Sequence, residues 1–489
     1  MLFNSFNFFL FFPIVTLVYF LLPHKFRWLH LLLASCVFYA AFIPAYILIL
    51  FFTIIIDYIA GRVIENSDGR KRKNYLILSI VANVGVLAFF KYYNFFSDNI
   101  NTLLTSLGIT TPEIPLLNII LPIGLSFHTF QAMSYTIEVY RGHQKAERHF
   151  GIYSLYVMFY PQLVAGPIER PQNLLHQFHE EKYFDYDRVV EGLKLMLWGL
   201  FKKVVIADRL AMITSTVYDN PHSHTSIQLM VAAILFSFQI YCDFSGYSDI
   251  ALGSARVMGF KLMKNFDRPY CSKSISEFWG RWHISLSTWF RDYFYISLGG
   301  NRVALPQWFL NLFLTFLVSG LWHGANWTFI IWGALHGVYL ILAIISEKIK
   351  YRFFNPRKSP EKINFRNTLK MTGVFILVTI AWIFFRAKTI SDAIFILGRL
   401  PFVLTELKYM VQHHDFTTYL HGMSIANIGL DFVFVFVLLY IEFLHSKYNL
   451  LGLLNRQVTG IRWTVYFSAI ILVYMFASFE HHPFIYFQF

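Results

Sequence analysis

The sequence predicts an all-α fold, a polytopic transmembrane helical bundle, from three observations. Of the 489 residues, 56% are hydrophobic and only 14% are charged, whereas soluble proteins usually have about 25% charged residues. Twelve apolar runs recur along the chain, several of them close to the roughly 20 residues that cross a bilayer. The chain contains 54 Phe and 29 Tyr residues, and Tyr is enriched at membrane interfaces.

The apolar runs predict the order of the helices. They lie at 7–22, 28–43, 45–61, 75–95, 117–138, 152–168, 226–242, 307–321, 326–347, 371–387, 427–445 and 463–480. Several runs are shorter than a full span, so we expect re-entrant or buried helices among them. No Lys or Arg precedes the first run, unlike a cleavable signal peptide, and we therefore expect a retained helix there.

The positions of Lys and Arg predict the orientation. Five of them lie in the loop at 62–73 and eight in the loop at 348–370, whereas the segment at 97–117 has none. The positive-inside rule places the first two loops in the cytoplasm and the third segment outside. Both chain ends are then expected outside, with an even number of crossings. Basic loops also account for the net charge of +13 without a nucleic-acid partner.

One integral membrane domain is expected over 1–489. Its parts are N-terminal spans at 1–242, a cytoplasmic-side polar segment at 243–306, C-terminal spans at 307–480 and an extracytoplasmic tail at 481–489. The polar segment and the stretch at 186–215, with Lys202 and Lys203 in its middle, predict amphipathic or partly buried helices. Three cysteines, an odd number, indicate no disulfide framework.

A histidine inside an apolar stretch marks the first candidate site. In SGLWHGANWTFIIWGALHG, at 319–337, Trp322 precedes His323 and Asn326 follows three residues later. Because an ionisable residue at membrane depth is costly, His323 is a functional candidate. The alternative is a hydrogen-bond partner between helices. The spacing predicts that Asn326 shares a helical face with His323.

A Trp-rich stretch at 274–302 forms the second candidate site. It contains Trp282 and His283, and Glu277, Arg281 and Ser285 are spaced by four residues. That spacing predicts one polar helical face, and the alternative is an interfacial helix with salt bridges.

The third candidate, YCDFSGYSDIALG at 241–253, contains Asp243 and Asp249. These carboxylates are expected to cap helices or to pair with Lys or Arg, since a metal site needs more converging ligands. Two further stretches, 122–142 and 159–171, are predicted to be cavity walls, because Pro and Gly break the helix of the second. No P-loop, GxSxG or HExxH motif occurs, which excludes the common hydrolases and nucleotide-driven pumps.

Three motifs in combination resemble the membrane-bound O-acyltransferase family. They are DFSGYSD from Asp243, FWGRWHISL from Phe278, and Trp322-His323-Gly324. The resemblance covers 1–489 and is strongest to the alginate O-acetyltransferase branch, the AlgI type, although Gly280 stands where the family usually has Arg. It implies that His323 is catalytic, that His283 is a second important site residue, and that the helices surround a central funnel or tunnel.

The resemblance also implies the chemistry. The donor would be cytoplasmic acetyl-CoA, as a co-substrate with no bound cofactor or metal, and the chain would lie in the lipid of the inner membrane. An extracytoplasmic SGNH-type partner protein would complete transfer to an exported polysaccharide. In related systems a C-terminal tyrosine is proposed to carry the acyl group, which here would be Tyr486; the alternative is an aromatic membrane anchor.

Five residues are expected to bind substrate: Asn326, Trp322, Trp282, Arg281 and Asp243. Asn326 or the Trp322 indole would orient His323 or bind the acyl carbonyl, and basic residues such as Lys264 and Arg281 would attract the phosphates of coenzyme A. Burial favours a neutral His323 that can accept a proton. The remaining alternatives are acetylation of peptidoglycan or another envelope glycan and, in a different class, a transporter or flippase.

Overall fold

The computed structural model describes residues 1–109, 112–164, 166–354, 365–414, 424–448, 450–478 and 484–485, and the regular structure in these ranges is helical. The N-terminal helices are α1 Phe6–Leu21, α2 His24–Ala40, α3 Tyr46–Glu65, α4 Gly69–Ser106, α5 Leu125–Arg141, α6 Phe150–Met158, α7 Tyr160–Leu163 and α8 Pro171–Leu174. The central helices are α9 Tyr186–Leu200, α10 Asp208–Asp219, α11 Ser226–Met258, α12 Ile275–Arg281 and α13 Ile284–Trp289.

The C-terminal helices complete the bundle. They are α14 Leu305–His323, α15 Trp327–Phe354, α16 Phe365–Arg386, α17 Ile390–Arg399, α18 Val403–His413, α19 Ile425–Lys447, α20 Leu450–Asn455 and α21 Thr459–Phe476. Two π-helical segments lie among these α-helices: Phe201–Ala207 joins α9 to α10, and Phe290–Tyr295 follows α13.

Eight of the described helices are long and apolar enough to cross a membrane. They are α3, α4, α11, α14, α15, α16, α19 and α21, and α1 is a shorter apolar helix. Large apolar side chains cover their outer faces; Phe436 is 67% exposed and Met475 is 68% exposed. A surface of this kind suits lipid rather than water. The predicted polytopic helical fold is therefore confirmed, and the protein is a multi-pass membrane protein.

Two predicted apolar runs are broken: Pro and Gly predicted the break in the run at 152–168, whereas the break in the run at 117–138 was not predicted. In the run at 152–168, α6 ends at Met158, and only the single turn α7 follows before extended chain. In the run at 117–138, helix begins only at Leu125, after Gly124 takes a left-handed φ of 76°. A side chain at Gly124 would also lie 2.6 Å from the Leu163 carbonyl oxygen, so the two breaks pack against each other.

A long antiparallel hairpin crosses the middle of the molecule. The stretch at 186–215, predicted to be amphipathic, forms α9, a π-helical segment and most of α10, and it packs along α11. Added Cβ atoms on Gly192 and Gly199 would lie 2.7 and 2.6 Å from the carbonyl oxygens of Gly253 and Gly246. The backbones of α9 and α11 are therefore in direct contact. The predicted boundary at residue 242 falls inside α11.

The bundle has two chemically distinct ends. At one end, called the basic end here, Arg72 donates to the Tyr140 carbonyl and Arg148 pairs with Glu65 at 2.8 Å. At the opposite end, the Trp327 indole donates to Asn99, which belongs to the segment without Lys or Arg. The basic loop at 62–73 and this segment thus lie at different ends, joined by α4, as the charge pattern predicts.

Candidate active site

His323 lies where α14 stops. The helix ends because Gly324 is extended, and a Cβ there would lie 2.2 Å from the Phe329 ring. The His323 side chain is 4% exposed, and its ring lies 4.9 Å from the rings of both Trp322 and Trp332. An imidazole in this aromatic frame has a fixed orientation and a low-dielectric surrounding.

A cavity of about 790 Å³ includes His323, Trp322 and Asn326 among its lining residues and lies towards the end opposite the basic loop at 62–73. Residues 120–127 form part of its wall, and Val164 contributes from the second predicted wall segment. The cavity-wall prediction therefore holds for these residues. His128 instead shares a 2.6 Å hydrogen bond with Thr53 between α5 and α3.

Asn326 does not share a helical face with His323, contrary to the prediction. The helix stops at His323, and Asn326 lies in the turn before α15. Its side chain accepts a bond from the Thr328 amide at 3.0 Å and donates to the Lys388 carbonyl at 3.1 Å. Asn326 thus fixes the turn, although it lines the same cavity as His323.

Lys91, on α4, is a site residue that the motif search missed. Its ammonium donates to the carbonyl oxygens of Trp322 and His323 at 2.8 and 2.9 Å, and it lines the cavity. The neighbouring Tyr92 hydroxyl donates to the Leu321 carbonyl at 2.6 Å. The last turn of α14 is therefore capped from α4. The signal in the sequence was a lone Lys inside the apolar run at 75–95.

His283 forms the turn between α12 and α13. Its backbone is left-handed, with φ 42°, and its side chain is completely buried. A non-glycine residue with such a φ is strained and persists only where its surroundings hold it. Here Asn265 supplies that hold: its carbonyl accepts from the Ile284 amide at 2.9 Å, and its side chain accepts from the Ser285 hydroxyl at 2.6 Å. Burial lowers the pKa of His283 to about 3.

The turn at His283 also breaks the predicted polar face. Arg281 pairs with Glu277 at 2.7 Å, as the spacing of four predicts. Ser285 lies on the next helix, is buried, and bonds Asn265 instead. Trp282 is buried against Phe266 and Trp382, with ring centroids 5.1 and 4.9 Å away. Arg281 and Trp282 therefore do not line the cavity beside His323.

One aromatic ring separates His283 from each of two cavities. Phe127 lines the His323 cavity, and its ring stacks on His283 at 6.0 Å. Phe266 also stacks on the His283 ring, with ring centroids 6.4 Å apart, and lines a second cavity of about 500 Å³. Lys264 and Arg268 line this second cavity, and basic residues line the His323 cavity as well. His283 is thus one aromatic ring away from each of the two cavities.

The two acidic residues of the third motif are paired with lysines, as predicted. Asp243 lies 2.5 Å from the ammonium of Lys203, and Asp249 lies 2.7 Å from that of Lys202. Asp243 also accepts the backbone amide of Ile485 at 2.7 Å. Its assignment as a substrate-binding group stays a prediction. Tyr486 lies outside the described residues.

Comparison with known proteins identifies the family. The family model of the membrane-bound O-acyltransferases matches residues 141–385, a range that contains His283 and His323. The chain belongs to this family. It is therefore an O-acyltransferase, and its two motif histidines lie in the matched region.

Curated relatives cover most of the chain. The probable alginate O-acetylase AlgI of Pseudomonas aeruginosa is 42% identical over 79% of this chain and 72% of its own length. The protein of the same name from Pseudomonas putida is 36% identical over 98% of both chains. The peptidoglycan O-acetyltransferase of Helicobacter pylori is 37% identical over 81% of this chain and 79% of its own. This O-acyltransferase is thus similar to enzymes that are named for acetyl transfer.

Proposed function

We propose that this O-acyltransferase moves an acetyl group from cytoplasmic acetyl-CoA, across the inner membrane, towards an exported polysaccharide. An extracytoplasmic SGNH-type protein would complete the transfer. The observation that carries the proposal is the position of His323, in the wall of a cavity of about 790 Å³, with His283 one aromatic ring away from both this cavity and a second one. Relatives named for O-acetylation of alginate support the acetyl group and the glycan.

The second cavity suits the donor end of such a route. It contains Lys194, Lys202, Lys264 and Arg268, and its acidic side chains are Asp249, Asp267 and Glu442. One positive charge remains in excess, which attracts the phosphates of coenzyme A. The His323 cavity is also positive, with Lys91, Arg386 and Lys388 against Asp219, so the assignment of the donor to the second cavity is part of the proposal. In the proposed route, the thioester enters from this cavity and the acetyl group reaches His323 from the basic end.

His323 acts as the general base in this proposal. The imidazole accepts the proton of an acceptor hydroxyl, and the oxygen attacks the acetyl carbonyl carbon. As the new C–O bond forms, the C–S bond breaks, and the departing thiolate takes the proton from the imidazolium to give free coenzyme A. The Trp322 indole and the Asn326 amide are the nearby donors for the oxyanion. Tyr486 is the proposed first acceptor within the chain, and its ester would pass the acetyl group to the partner.

The test compares His323→Gln with His336→Gln in lipid nanodiscs. His336 is also fully buried at membrane depth, and the Trp279 indole donates to it at 3.3 Å. It therefore serves as a matched control. Loss of a general base should slow release of coenzyme A from acetyl-CoA by about 10²-fold or more, whereas the control should stay active. Normal turnover by His323→Gln would exclude His323 as the catalytic residue.

Product analysis separates the remaining alternatives. Ester-linked acetate is measured on exported polysaccharide and on peptidoglycan from cells that carry either histidine variant. Loss of acetate from peptidoglycan alone would favour the envelope-glycan alternative, which the 37% identical Helicobacter pylori relative supports. Transport of an unmodified substrate that continues without acetylation would favour a flippase. Mass spectrometry of the C-terminal peptide during turnover tests Tyr486, and an unmodified tyrosine excludes the relay.

A further inference from the structure

Two described residues near the C-terminus, Phe484 and Ile485, are buried in the protein. Phe484 is 0% exposed and Ile485 is 2% exposed. The Phe484 ring packs against Tyr247 and Phe244 of α11, with centroids 4.6 and 5.6 Å away. The last helix, α21, ends at Phe476, so the chain leaves that helix and its described end lies in the core.

A buried charge cluster meets this chain end. The Lys203 ammonium lies 2.5 Å from Asp243 Oδ1 and 2.7 Å from Asp208 Oδ1, and all three side chains are at most 4% exposed. The Lys203 ammonium contacts one oxygen of Asp243, Oδ1, and the second oxygen, Oδ2, needs a hydrogen-bond donor of its own in this buried site. The Ile485 amide is such a donor, 2.7 Å from Asp243 Oδ2.

A single aromatic ring, that of Phe244, connects the buried C-terminal residues to His283. Phe244 directly follows Asp243, and its centroid lies 4.6 Å from the His283 ring and 5.6 Å from the Phe484 ring. A shift of Phe484 would therefore change the packing of Phe244 against His283. Close packing transmits such shifts, because interiors contain few voids that could absorb them.

We propose that Asp243 is a positioning residue that docks the C-terminal segment beside His283. The Lys203 ammonium pairs with the Asp243 carboxylate, and this carboxylate accepts a hydrogen bond from the Ile485 amide. The docking is a property of the fold alone, whereas its effect on turnover rests on the proposed acyl transfer. Apolar burial of Phe484 is the competing explanation, and it predicts a docked tail whether or not Asp243 is charged.

Hydrogen exchange of the full-length protein in nanodiscs, read by mass spectrometry on the peptide 477–489, tests the docking. Asp243→Asn removes the charge and keeps the shape. Loss of a charge-assisted bond should speed exchange in this peptide by about tenfold or more. Asp431→Asn is the matched control, because Asp431 is also 3% exposed and also pairs with a cation, Arg209. The control should leave the peptide protected.

A second variant avoids the charge cluster. Ile485→Pro removes the amide donor itself and leaves Asp243, Lys203 and Asp208 intact, so it should release the tail even if Asp243→Asn folds poorly. Unchanged exchange in Ile485→Pro would overturn the docking. Equal acceleration in Asp431→Asn would also overturn it, since the effect would then be general loosening.

Turnover tests the positioning role separately. Asp243→Asn and Ile485→Pro should each lower kcat for release of coenzyme A by about tenfold and leave KM for acetyl-CoA unchanged. The reason is that a misplaced His283 lowers the rate without weakening donor binding. A released tail with normal kcat would overturn the positioning role. An inactive wild-type protein with a protected tail would instead refute the proposed acetyl transfer and leave the docking standing.

Discussion

Lys91 allows a sharp test of how the chain is held in place at His323, where α14 ends. Its ammonium makes two hydrogen bonds to the carbonyl oxygens of the last two residues of α14, Trp322 and His323. Bonds from a charged donor contribute about 1.5–3 kcal/mol each, and a cation at a helix C-terminus adds a favourable interaction with its dipole. Lys91 lines the cavity and is only partly buried, so water replaces part of this energy when the ammonium is lost.

Lys91→Met should therefore destabilise the protein by about 1–3 kcal/mol. We expect a larger effect on rate, about 10²-fold in kcat, since an error of about 1 Å in the position of a catalytic group has this effect. Lys91→Arg retains the charge and the donors and should recover part of the loss. Release of coenzyme A and thermal unfolding in nanodiscs measure the two effects.

The control for Lys91 lies on the same helix. Lys71 is exposed near the start of α4, so Lys71→Met should match the wild-type protein in both measurements. If Lys91→Met kept normal kcat while folding normally, the carbonyl cap would not position His323. The same conclusion would follow if Lys91→Arg were no better than Lys91→Met.

Three further predictions concern the turn at His283. The pKa of His283 is lowered from 6.5 to about 3, so this residue binds a proton between these values only in the unfolded chain. Its contribution should lower stability by about 2 kcal/mol between pH 7 and pH 5, and His283→Gln should reduce the pH dependence of unfolding by that amount. Asn265→Ala removes the acceptor for Ser285 and should cost about 1–3 kcal/mol and lower kcat; unchanged unfolding would show that the turn does not need it. Gly280 has no atom within 4 Å of an added Cβ, so Gly280→Ala should stabilise α12 by about 0.5–1 kcal/mol, whereas lower thermal stability would reveal a hidden clash.

Hydropathy and charge predicted the fold class because a helix that crosses lipid must be made mostly of apolar residues. Runs of apolar residues correspond to α3, α4, α11 and the C-terminal helices, and Pro161 and Gly166 marked a broken helix. The predicted end of a run at residue 242 missed the second half of α11. There, Asp243 and Asp249 are compensated by Lys203 and Lys202. Pairing across helices lets charged residues continue a buried helix, and single-sequence hydropathy does not record such partners.

The histidine motifs predict the candidate site residues but not the residues that hold them in place. His323 and His283 are candidates because they are ionisable and lie in recognisable motifs. Lys91 and Asn265 lie 232 residues and 20 residues from the groups they hold, His323 and Ser285. Their roles depend on tertiary contacts that sequence spacing does not reveal. The same reason explains the error at Asn326, since an i, i+3 argument fails wherever a helix ends between the two positions.

The glycine contacts between α9 and α11 constrain how this enzyme can move. Gly192 and Gly199 face Gly253 and Gly246 at matching intervals of seven residues, with added Cβ atoms 2.6–2.8 Å from the opposing carbonyl oxygens. Sliding by one residue, about 1.5 Å, would place larger side chains against backbone. The hairpin is therefore a fixed frame. Any motion that the proposed acetyl transfer requires must leave this frame intact and occur in the helices around it.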